Sequence, residues 1–184
     1  MKSPAIHVEP LPGFLVVAAV ERALEEDMGR SGDLTTAATI PATAQARALL
    51  VSREKGRLAG TQFVRAAFNT LDAAVNVQIQ VPDGADVEPG ETIAIISGSA
   101  RPILTGERVG LNFLGRLSGV ATATSNLVRL VSGTGARVVC TRKTTPGLRA
   151  FEKYAVRCGG GFNHRFALDD GILIKDNHIV AAGG

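Results

Sequence analysis

Two short apolar runs, each followed at once by cations, constrain the fold of this chain more than any other feature. Arg137-Val138-Val139-Cys140 carries a β-branched pair, stands behind Gly133 and Gly135, and leads into Thr141-Arg142-Lys143. Gly171-Ile172-Leu173-Ile174 is the second run, and Lys175-Asp176-Asn177-His178 follows it directly. Both read as buried strands. Between them Phe151, Tyr154 and Ala155 recur at helical spacing, and Gly159 reads as the helix stop. Strand, polar cluster, helix, strand, polar cluster is the order of a β/α barrel or an open α/β sheet. Such folds gather functional groups at the C-terminal ends of parallel strands.

Charge follows the same pattern. Eight of the 20 Lys/Arg lie between Ala136 and His178 (Arg137, Arg142, Lys143, Arg149, Lys153, Arg157, Arg165, Lys175), with four of the 17 acids; the net charge of +3 therefore resides here. Lys153 and Arg157 fall on the predicted helix and read as solvated charges. Arg142, Lys143, Arg165 and Lys175 fall at strand or loop ends beside other cations. Like charges gather where a ligand neutralises them, so this cluster predicts a pocket for a small molecule with several carboxylates or phosphates.

The rest of the chain reads as an α+β domain over residues 1–104, a connecting helix over 105–135, and the first units of an α/β (β/α) barrel over 136–184. Residues 1–13, with three prolines, are an irregular lead-in. A helix is predicted over 14–28, a loop over 30–40, a strand over 46–53 and a short helix around Phe63–Thr70. Val75, Val77, Ile79 and Val81 alternate with polar residues as a half-buried strand, and another strand follows over 91–97. This stretch resembles a small biotinyl or lipoyl carrier module, but no lysine sits at its tight turn. A helix over 105–132 would start at Thr105 as N-cap and bend or break at Ser118-Gly119. Arg108 would then lie in its first turn, where the helix dipole disfavours a cation.

TRKTTPGLR (141–149), EKYAVRCGGGFNHR (152–165) and LIKDNH (173–178) closely resemble the central motifs of quinolinate phosphoribosyltransferase. GDLTT (32–36), GRLAG (56–60) and ERVGLNFLGRLSGVAT (107–122) resemble that family's other signatures in the same order. The resemblance implies an enzyme of NAD biosynthesis that joins quinolinate to phosphoribosyl pyrophosphate, releasing pyrophosphate and CO2 and leaving nicotinate mononucleotide. It implies that Arg142, Arg165 and Lys175 bind the dicarboxylate with Thr141 and His164 beside it. Lys143 would contact the pyrophosphate of the donor. It further implies a cytoplasmic homodimer or hexamer in which Arg108 enters a neighbour's site, and a magnesium ion carried with the donor. The family's acidic ribose and metal ligands and its phosphate loops belong to later strands. A closed barrel takes about 250 residues, about 200 in small cases. The sequence thus reads as the front part of such an enzyme, and this chain alone is expected to be inactive. Asp169-Asp170 precedes a strand and is a poor substitute for the later acids.

Other classes fit less well. A molybdenum-transport-associated paralogue shares the fold, but the dicarboxylate-reading set favours quinolinate. A non-catalytic anion-binding module remains an alternative. A pI near 9.2 raises nucleic acid as a partner, yet the chain has one Tyr, no Trp and no continuous basic run. Cys140, Cys158, His164 and His178 match no zinc spacing, so no metal site is assigned and the cysteines read as reduced and structural. No run reaches the roughly 18 apolar residues of a membrane span.

Overall fold

The computed structural model describes residues 5–184; of the expected lead-in, residues 1–4 lie outside the described residues. α1 (Gly13–Met28) buries Val16, Ala19, Val20 and Leu24, the i, i+3, i+4, i+8 pattern of one helix face. Gly29, in the left-handed region, closes it. The expected loop over 30–40 instead contains a short helix, α2 (Leu34–Thr39). Asp33 makes the difference: its carboxylate accepts the Thr36 amide at 2.9 Å, an N-cap bond. Its other oxygen accepts the Thr105 hydroxyl at 3.0 Å.

Strand β1 (Gln45–Val51) and strand β3 (Asn76–Ile79) flank β5 (Thr92–Ser99) in an antiparallel sheet, with Leu49 opposite Ile95 and Val77 opposite Ile96. A second ladder pairs β2 (Gly56–Arg57) with β4 (Asp86–Val87). Helix α3 (Thr61–Leu71) starts at Gly60, which has φ +107, a conformation that favours glycine. The Asp83 carboxylate accepts the amides of Gly60 and Thr61 at 2.9 and 3.0 Å, satisfying orphan donors at the helix start.

The spine is α4 (Ala100–Leu130), 31 residues without interruption and roughly 46 Å long. It begins at Ala100 rather than Thr105, whose hydroxyl is already engaged by Asp33. It does not break at Ser118-Gly119. The Ser118 hydroxyl accepts the Ala59 amide and donates to the Ala59 carbonyl, and Thr122, one turn on, accepts the Arg57 amide at 2.9 Å. Hydroxyls that bond a neighbouring segment do not compete with their own helix. Arg108 consequently lies in the third turn, so the dipole argument against a cation there does not apply.

One core joins α1, α3, α4 and α5 (Arg149–Cys158), with Phe63, Phe113 and Phe151 at ring distances of 4.5, 4.9 and 6.4 Å. A second lies between the sheet and α3 and α4. Val139 bridges Phe162 in parallel, with α5 as the crossover. Arg137–Cys140, expected as a buried strand, makes only this isolated bridge and leaves Val139 47% exposed, because no other described segment pairs with it. The strand expected over Gly171–Ile174 is not formed: no described segment pairs with its backbone, and Ile172 is 95% exposed. Helix α6 (Asp176–Ala182) follows with no buried residue. Barrel closure is not present among the described residues, where no helix is long and apolar enough to cross a membrane.

Candidate active site

The C-terminal end of the Val139 strand and the segment after Phe162 run side by side, fixed by Cys140 N–H to Phe162 O at 2.9 Å and Phe162 N–H to Val138 O at 2.8 Å. Parallel pairing brings the residues following each strand to one side. A cavity of about 480 Å³ opens there, lined by Cys140, Thr141, Arg142, Lys143, His164, Arg165, Leu173 and Lys175. Six of the seven residues singled out from sequence thus meet at one place. Arg108 does not: it is exposed on α4 and lines a different cavity with Glu107, Arg53 and apolar residues of β1 and α4.

Among the described residues no carboxylate lines the cationic cavity. The Arg142 Nε is buried and has no hydrogen-bond partner among the described residues, and a buried guanidinium nitrogen without an acceptor is costly. Arg165 donates one Nη1–H to the Gly171 carbonyl at 2.9 Å, which steadies the 165–171 loop. Asp170 closes the same loop by accepting the Phe166 amide at 2.7 Å. The Lys175 amide donates to His178 Nδ1 at 3.0 Å.

Helix α5 holds these walls in place, and sequence reasoning missed how. Arg149 donates to Thr144 Oγ1 and to the Phe166 carbonyl, each at 3.2 Å. Glu152 accepts the Thr145 amide at 3.1 Å, the Thr145 hydroxyl at 2.7 Å and Arg116 Nη2 at 2.6 Å. Burial raises its carboxyl pKa, but the bonds from Arg116 and Thr145 outweigh burial and the net shift is downward. Lys153, read from sequence as a solvated charge, is only 2% exposed. Its ammonium donates to the His164 carbonyl at 2.9 Å and to Cys140 Sγ at 3.0 Å. The correction has a packing cause: α5 is covered by α4 on one side and by the strand pair on the other, so Phe151 to Ala155 are all buried. No local signal in the sequence marked it. Arg157 is half-buried, with its guanidinium 5.5 Å from the Phe162 ring.

The cavity can do one thing well, which is to hold a compact polyanion. A magnesium ion finds no ligand set among the described residues, where no three His, Cys, Asp or Glu side chains gather.

Two family models cover most of the chain. One, described as "Quinolinate phosphoribosyl transferase, N-terminal domain", matches residues 33–118. The other, "Quinolinate phosphoribosyl transferase, C-terminal domain", matches residues 120–184. A probable nicotinate-nucleotide pyrophosphorylase [carboxylating] of Bacillus subtilis is 48% identical over 158 residues, covering 86% of this chain and 54% of its own length. The Mycobacterium leprae nicotinate-nucleotide pyrophosphorylase [carboxylating] is 45% identical, covering 89% of this chain and 58% of its own. The crystal structure of NadC from Streptococcus pyogenes superposes with a TM-score of 0.91 at 44% identity, over 96% of this chain and 62% of that one. The chain spans about half the length of the relatives it matches.

Proposed function

The chain belongs to the quinolinate phosphoribosyl transferase family, and from that premise we propose that its cationic cavity binds quinolinate for phosphoribosyl transfer with decarboxylation. The observation that carries the reading is a cavity lined by Arg142, Lys143, Arg165 and Lys175, without a carboxylate and with the Arg142 Nε unpartnered. Two adjacent carboxylates on a flat ring are the complement of two guanidinium forks and an ammonium. A volume of about 480 Å³ suits a single small-molecule site.

In this reading Arg142, Arg165 and Lys175 hold the dicarboxylate, with the Thr141 hydroxyl and His164 beside it. The ring nitrogen uses its lone pair to attack the anomeric carbon of phosphoribosyl pyrophosphate. The bond to pyrophosphate breaks, and the leaving group takes that electron pair. Lys143 neutralises the charge that develops there. The ring nitrogen is then quaternary and positive, so it stabilises the electron pair that the breaking carbon–carboxylate bond leaves on the adjacent ring carbon as CO2 departs; a proton then takes that pair. In this reading a magnesium ion is carried with the donor. The same reading places the reaction in the cytoplasm, in a homodimer or hexamer with Arg108 reaching a neighbour's pocket.

Titration of this chain with quinolinate and with nicotinate, which lacks one carboxylate, tests the proposal. Quinolinate should bind at least tenfold more tightly, and Arg142→Lys, which keeps the charge but loses the fork, should weaken quinolinate at least about tenfold, or ~1.4 kcal/mol. Equal binding of the two acids, or an unaffected Arg142→Lys chain, removes the dicarboxylate reading.

A further inference from the structure

Lys153 is buried at 2% exposure, and its ammonium meets no carboxylate among the described residues: it donates to the His164 carbonyl at 2.9 Å and to Cys140 Sγ at 3.0 Å. Cys140 Sγ also lies 3.4 Å from Asn163 Oδ1. Glu152, its neighbour in the chain, directs both carboxylate oxygens to Thr145 and Arg116. Among the described residues Lys153 makes no ion pair. A buried cation without a counter-ion is destabilising, and replacing such a group by an apolar residue of similar volume is commonly neutral or stabilising. Its retention therefore calls for a role outside folding.

The surroundings supply one. Lys153 lines a cavity of about 200 Å³ that shares Cys140, Thr141 and Lys143 with the cationic cavity. Its two bonds tie the strand end that presents Thr141, Arg142 and Lys143 to the loop that presents His164 and Arg165. We infer that Lys153 is a positioning residue of the anion site: it locks the two walls together, and the missing counter-ion is the bound dicarboxylate itself. This inference rests on the quinolinate reading given above. The ammonium need not touch the ligand. A positive charge one layer back still lowers the energy of an anion in the site.

Two variants test it on the intact chain. Lys153→Met removes charge and hydrogen bonds with little change in volume; Lys153→Gln keeps a donor for Cys140 and His164 but removes the charge. Without ligand, Lys153→Met should melt at or above the temperature of the parent. Both variants should bind quinolinate at least tenfold more weakly, with a shallower dependence of log Kd on log salt. A Lys153→Gln chain with parental affinity and salt dependence overturns the inference. So does a Lys153→Met chain that melts lower while binding quinolinate normally. Should Lys153→Met not fold, Lys153→Gln decides alone. Failure of the quinolinate reading shows differently, as a parent chain that does not bind quinolinate, and the role of Lys153 falls with it.

Discussion

At the scale of single residues, burial sets the chemistry of the two cysteines apart. Cys140 borders the cavity, whereas Cys158 is fully buried. Burial first, then the nearby Asp83 carboxylate, pushes the Cys158 thiol up to about 12. Tyr154, whose hydroxyl donates to Asp83 Oδ2 at 2.7 Å, is raised for the same two reasons in the same order. Both folded values lie above the unfolded ones of roughly 8.5 and 10. The stability these groups contribute is therefore complete below about pH 8.5 and is lost as pH climbs toward the folded values. The thermal midpoint should hold steady from pH 7 to 8 and decline from about pH 9, more gently in Cys158→Ala; an equal decline in that variant would show that the thiol is not a source. Such neighbours were not legible in the sequence. The cation cluster was legible, because charges repel unless something gathers them. The buried Lys153 was not, because a lysine on a helix is ordinarily solvated, and only the packing of α5 between two layers reverses that expectation.

Among the elements, α4 and α5 account for most of what local reasoning missed. The alternating strand, formed over Asn76–Ile79 within the expected Val75–Val81 stretch, was readable because period alone determines it. The break expected at Ser118-Gly119 was a fair reading of propensity, and it failed because the partner of Ser118 is Ala59, distant in sequence. The Gly171–Ile174 run has strand composition, but pairing is a property of two segments and this run has no described partner. Two glycines, Gly159 at the end of α5 and Gly119 in the middle of α4, make the contrast testable. A Cβ at Gly159 would stand 2.5 Å from the Ala121 carbonyl oxygen and 2.6 Å from Thr124 Cβ, whereas one at Gly119 meets nothing within 4 Å. Gly159→Ala must push α5 off α4 and should cost about 1–3 kcal/mol in chemical denaturation. Gly119→Ala, in an open helical position, should stabilise by about 0.5–1 kcal/mol. Reversed signs would mean that α5 does not seat on α4 as described.

For the molecule as a whole, Arg108 stands on α4 apart from the cationic cavity and lines a different one. If Arg108 completes a neighbour's pocket, an Arg108→Ala chain mixed with an Arg142→Ala chain forms hybrid dimers with one intact pocket each. Equal mixing with free exchange should restore about a quarter of the quinolinate sites. No recovery, with exchange verified by mass, would place Arg108 in its own subunit's site or outside any site. Distance along the chain does not divide the core: Val20 and Cys158, both at 0% exposure, belong to one hydrophobic cluster, a contact that no local pattern signalled. That cluster sets a clock on the ribosome. α1 leaves the exit tunnel long before α5 exists, and at about 5–20 residues per second the roughly 130 intervening residues take some 6–26 s to synthesise. Throughout that interval the apolar face of α1 lacks part of its final covering, which makes the nascent chain a client for chaperones until Phe151 and Tyr154 arrive to close over it.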